Sequence, residues 1–183
     1  MRSNPIRLST LCLALLLSAC AAPVKIAVQA NDAQVAKYKD LSALDIVSAL
    51  EKNIADAKAE GMPFSAPHYF KEATLALSAA QNGLSSQPKD QLAQQAAKGD
   101  AILEKGRAIM AVVKYRFTDE LALKAQLDSL GGDKLLPKEY ANVMGDFSDL
   151  INVVEAEKPH HLDQKKAELL KDLTSLEVRV VQE

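Results

Sequence analysis

The sequence has no tryptophan and only four phenylalanines and four tyrosines in 183 residues. With so few aromatic side chains it has little from which to build an enclosed substrate pocket, which argues against an enzyme. Histidine is scarcer still. Of the three, His160 and His161 are adjacent, and on a helix they would point about 100° apart instead of sharing the i, i+4 face that a metal requires. Only two cysteines occur, Cys12 and Cys20, so no thiolates remain for a zinc set and no metal is expected. There is no Gly-x-Ser-x-Gly elbow, no phosphate-binding glycine loop and no creditable Ser-x-x-Lys arrangement, so neither catalytic residues nor a cofactor is expected. Asp146 and Asp149 lie close in sequence, but the ladder of acids and the glycine of a calcium loop are missing, and they read as a solvated helix face.

Long apolar runs are absent except at the start. Arg2 and Arg7, with no acid, precede the apolar run from Leu8 to Leu17 and then Ser18-Ala19-Cys20, the three-part layout of a secretory signal peptide. A spanning helix needs roughly 20 apolar residues, and this run, interrupted by Ser9 and Thr10, closes in small residues before that length. The tetrapeptide Leu17-Ser18-Ala19-Cys20 resembles the lipobox of bacterial lipoproteins. That resemblance implies cleavage before Cys20, lipid on its thiol and stable membrane attachment, since each buried acyl methylene contributes about 0.8 kcal/mol. In such proteins an Asp after the cysteine favours inner-membrane retention. Ala21 stands there instead, which implies the periplasmic face of the outer membrane in a Gram-negative source.

Cys12 would leave with the signal peptide and Cys20 would be consumed by lipid, leaving a core that must hold without disulfides. Loss of residues 1–19 removes two basic residues and no acid, so 20 basic side chains face 24 acidic ones. A net negative chain argues against nucleic acid as a partner and against a polybasic membrane contact. Residues 20–38, opening Cys-Ala-Ala-Pro and without clear period, read as the lipidated N-terminus and a flexible tether. Residues 39–183 read as a single helical domain.

Ala, Leu, Lys, Gln and Glu dominate that domain, and apolar residues recur at spacings of three and four, predicting an all-α elongated bundle or hairpin of about five helices. The first stripe is Ala43, Val47, Leu50, Ile54 and Ala57, stopping at Gly61 and Pro63. The second opens with Ser65 as N-cap and Pro67 in the first turn, with Phe70, Ala73, Leu77, Ala80 and Leu84. The third, about residues 89–130, is expected to be one helix roughly 60 Å long at about 1.5 Å per residue. Its stripe contains Gly99 and Gly106, which fit either close helix approach or a hinge. A fourth helix is expected from Pro137 and a fifth from about His161. Lys114-Tyr115-Arg116 reads either as a basic docking spot or as an ordinary helix flank. Lys39–Ile46 is echoed by Lys171–Val178, through coincidence or as the start of a second repeat.

The run Ala57-Lys-Ala-Glu-Gly61, then Phe64-Ser-Ala-Pro67-His-Tyr-Phe-Lys-Glu-Ala73 and Leu77-Ser-Ala-Ala80, resembles the Ala-Pro helical repeat of envelope lipoproteins of unknown function, a repeat also found ahead of OmpA-like domains. The similarity covers about residues 40–130. It implies a periplasmic helical scaffold that contacts a protein partner or a second copy, and it supplies no catalytic residue. A ligand-binding module, with an apolar cleft between long helices hinged at Gly99 and Gly106, is the second expectation, and a cell-wall enzyme a distant third.

Overall fold

The computed structural model describes residues 26–157 and 162–183. The stretch read as a signal peptide, Cys12, Cys20, Pro159, His160 and His161 lie outside the described residues. Within them the chain is helical, without a strand: α1 (Asp32–Ala36), α2 (Ala43–Ala59), α3 (Met62–Ser65), α4 (Pro67–Gly83), α5 (Lys89–Arg116), α6 (Thr118–Ser129), α7 (Gly132–Leu135), α8 (Pro137–Glu155) and α9 (Leu162–Val180). The all-α class read from composition and periodicity is the class observed.

Two helical units follow one another, α2–α5 and α6–α9. They share an unusual backbone signature at positions seventy residues apart, 61 with 131 and 67 with 137. Each first helix ends in a left-handed glycine, Gly61 at φ +89° and Gly131 at φ +73°. A single helical turn follows, then a kinked residue, Ala66 (φ −152°, ψ 61°) or Leu136 (φ −129°, ψ 63°), and then proline at the first position of a long helix. Only glycine takes such positive φ cheaply, and proline at a helix start loses no backbone bond. The buried stripe repeats with the same offset: Leu92, Gly99, Leu103, Gly106 and Met110 of α5 match Leu162, Leu169, Leu173, Leu176 and Val180 of α9. The echo between 39–46 and 171–178 is a different matter. The first lies across the N-cap of α2 and the second inside α9, so they are not structural equivalents.

The helix expected over residues 89–130 is broken. Phe117, at φ −116° and ψ 36°, separates α5 from α6. Thr118, Asp119 and Glu120 then restart a helix with acids in its first turn, where the macrodipole favours them. Phe117 is fully buried and packs edge-on against Phe147 of α8 (centroids 5.5 Å), which in turn meets Phe64 of α3 at 5.2 Å. The break thus turns the second unit back onto the first, and each aromatic pair adds about 0.5–1.5 kcal/mol beyond its burial.

Gly99 and Gly106 lie inside the unbroken α5, not at a bend. A Cβ on Gly99 would come within 2.7 Å of Leu50 Cδ1, and one on Gly106 within 2.9 Å of Tyr69 Cβ. Their role is close approach of α2 and α4 to α5. In the stretch read as tether, residues 26–38 pack on the bundle: Ile26, Val28, Ala30 and Val35 lie against the core and Tyr38 is buried. A capping box between Asn31 and Gln34 starts α1 there.

Candidate functional site

Buried or half-buried polar side chains in the described residues tie helices together. The Tyr38 hydroxyl donates to Asp100 Oδ2 (2.7 Å), Asn53 Nδ2 donates to Asp100 Oδ1 (2.8 Å), and Gln34 Nε2 donates to Glu104 Oε2 (2.8 Å). These bonds fix the N-terminal segment and α2 on α5. Burial, then the bond to Asp100, pushes the Tyr38 phenol well above its ordinary range.

Glu155, at the last position of α8, is buried and reaches across to the other unit. Its Oε1 accepts the backbone N–H of His68 (3.0 Å), and its Oε2 lies 2.5 Å from His68 Nδ1. Ala66, the residue before α4, has no hydrogen-bonding group in its side chain with which to cap that helix. The carboxylate from α8 therefore supplies the cap and opposes the positive end of the α4 dipole. Sequence spacing held no signal for this bond, because it joins residues far apart in the chain.

A second buried acid, Glu120, has no hydrogen-bond partner on either carboxylate oxygen. Only Lys166 Nζ of α9 approaches, at 3.8 Å. Glu120 occupies a core-facing position of α6, where Leu127 is also buried.

An apolar recess lies where the two units meet. Ile109, Val112 and Arg116 of α5, Val153, Val154 and Glu157 at the end of α8, and Leu162 opening α9 line a cleft of about 300 Å³. Tyr115, next to it on α5, is 86 % exposed, so the Lys114-Tyr115-Arg116 cluster is a surface feature with Arg116 turned to the cleft rim. The cleft is not at Gly99 and Gly106. Sequence reasoning missed it because its walls come from three helices. Glu157 is the only described non-glycine residue at positive φ (54°).

Asp146 and Asp149 lie with Lys165, Glu168 and Asp172 around a shallow recess of about 200 Å³ between α8 and α9. Among the described residues no three His, Cys, Asp or Glu side chains gather as a metal set, and no helix is long and apolar enough to cross a membrane. The outer face of α9 carries Ala167, Leu170, Thr174 and Val178 around another shallow concavity, with Val178 and Val181 exposed.

The fold therefore defines a class: a helical bundle built from two related units, with an apolar cleft at their junction. Compared with protein-family models, with curated proteins and with solved structures, the chain matches nothing in any of the three.

Proposed function

We propose that the chain is a non-catalytic helical interaction module of the cell envelope, anchored by lipid on Cys20 to the periplasmic face of the outer membrane. The observation that carries the module reading is how its polar groups are used. Tyr38, Asn53, Asp100, His68 and Glu155 are engaged in joining helices, while Val178 of α9, Val181 just beyond it and Leu75 of α4 remain exposed on outer faces. Exposed apolar side chains on a rigid helical framework suit contact with a protein partner or a second copy. The lipobox at 17–20 supports the anchor, and the net negative charge disfavours nucleic acid.

Two experiments test this reading. Mass spectrometry of the chain from fractionated cells, wild type beside Cys20→Ala, should find an acylated N-terminal Cys20 in the outer-membrane fraction of the wild type alone. An unmodified wild-type chain rejects the anchor. In-cell crosslinking from position 178 should trap a discrete adduct, and a chain that crosslinks to nothing and sediments as a monomer rejects the interaction module.

A second reading, a module that binds a small ligand, is favoured by the junction cleft. Small-molecule sites are mostly apolar, sit between helices or units and occupy about 300–1,000 Å³. The cleft meets the first two conditions and lies at the lower end of the third.

A further inference from the structure

We propose, resting on the ligand-binding reading, that the junction cleft takes a small zwitterion with an aliphatic tail, of the chemical class of an apolar α-amino acid. Among the described residues that line it, five are aliphatic: Ile109, Val112, Val153, Val154 and Leu162. Val112 is 39 % exposed, and apolar surface open to water within a concavity is surface that an apolar body would cover. The volume of about 300 Å³ is enough for an aliphatic side chain or short tail.

The other two described lining residues, Arg116 and Glu157, carry opposite charges. Arg116 and Glu157 take part in none of the ion pairs formed among the described residues, with each other or with a third group. The guanidinium presents a planar fork suited to a carboxylate, and the carboxylate of Glu157 accepts an ammonium. A ligand with one charge would satisfy one residue and meet a like charge at the other. A zwitterion satisfies both.

Glu157 also holds its carboxylate at the cleft against a backbone preference. It occupies the left-handed position just past the end of α8, the conformation for which α2 and α6 use Gly61 and Gly131. A non-glycine residue there is held at a cost, and such positions gather where a side chain serves a site.

The test uses the full chain and four eight-carbon probes: 2-aminooctanoate, octanoate, octylammonium and 1-octanol. Binding is read from the methyl resonances of Ile109, Val112, Val153, Val154 and Leu162. The zwitterion is expected to bind roughly tenfold or more tightly than either singly charged probe, as loss of one charge-assisted contact implies. Arg116→Gln should remove its advantage over octylammonium, and Glu157→Gln its advantage over octanoate. Both residues are at the rim, so the fold should survive. Val153→Phe, which fills the cleft, should abolish all binding while circular dichroism stays unchanged. If octanol binds at the cleft methyls as tightly as the zwitterion, head-group recognition is wrong and the ligand-binding reading survives. If no probe moves those methyls, both fall.

Discussion

Glu120 holds in the second unit the place that Leu50 holds in the first, seventy positions earlier (50 to 120), and both side chains are completely buried. Leu50 faces the backbone of α5 at Gly99. Glu120 buries two oxygens without a hydrogen-bond partner and has only Lys166 at 3.8 Å. A buried ion pair of such poor geometry does not recover its desolvation cost, so Glu120→Leu is expected to stabilise the domain by about 1–3 kcal/mol. Lys166→Ala should do the reverse. Urea unfolding of both variants checks the order, and a Glu120→Leu chain less stable than wild type would sink the argument.

The Glu155 contact is expected to behave in the opposite way, since its bonds are short and well directed. Glu155→Ala leaves the His68 N–H unsatisfied at a half-buried helix start and removes the carboxylate opposing the α4 dipole, a loss of about 2–4 kcal/mol. His68→Ala should cost less, because the backbone bond to Oε1 persists. Thermal unfolding of the two variants side by side separates these contributions, and equal losses would place the energy in the ring contact instead.

How far the sequence revealed this fold depends on which physics carried the information. Periodicity exposed the α5 stripe from Leu92 to Val113, since burial of one face is written locally at spacings of three and four. Gly61, Pro67 and Pro137 marked the turns for the same local reason. The break at Phe117 was hidden, because neither proline nor glycine marks it in the sequence and Phe117 meets its partner Phe147 only once α8 is in place. The seventy-residue structural correspondence was masked by differences such as Met62 against Gly132 and Leu77 against Phe147, which preserve burial and discard identity. The cleft needed three helices to be placed before its lining residues shared a wall.

The two glycines on α5 should respond differently to alanine. In a free helix each replacement would gain about 1 kcal/mol from propensity. At Gly99 the new methyl meets the far end of the Leu50 side chain, which can turn aside, so Gly99→Ala should be near neutral. At Gly106 it meets Tyr69 Cβ at 2.9 Å, an atom fixed to the α4 backbone, and Met62 at 3.1 Å. Gly106→Ala should therefore destabilise by about 1–3 kcal/mol, the usual cost of overpacking. Chemical denaturation of both variants decides it, and equal effects would mean that α4 can move away from α5.

Glu157 offers a direct trade between stability and the cleft. Glycine is the residue that the left-handed position past a helix end prefers, so Glu157→Gly should raise stability by about 0.5–1 kcal/mol. The same change removes the carboxylate from the cleft rim and should erase the preference for a zwitterionic probe over octanoate. A thermal melt and a probe titration on one protein preparation measure both. A destabilised Glu157→Gly would show instead that the carboxylate holds part of the fold.

The alkaline limit of stability should trace to two phenols. Burial first, and then Asp100, raises Tyr38 above the ordinary value of 10.0, and burial with Asp128 does the same for Tyr140. The folded chain then keeps phenolic protons that the unfolded chain releases, so these groups contribute stability fully present below about pH 10 and lost as pH rises beyond it. Tyr38→Phe gives up the bond to Asp100 and should be less stable by about 1–2 kcal/mol at pH 8, where the wild-type phenol is protonated in both states. It should also decline less steeply between pH 9 and 11, having one fewer proton to lose in the unfolded state. Urea midpoints of the two chains across that range should converge, and parallel curves would show that the Tyr38 phenol titrates alike in the folded and unfolded states.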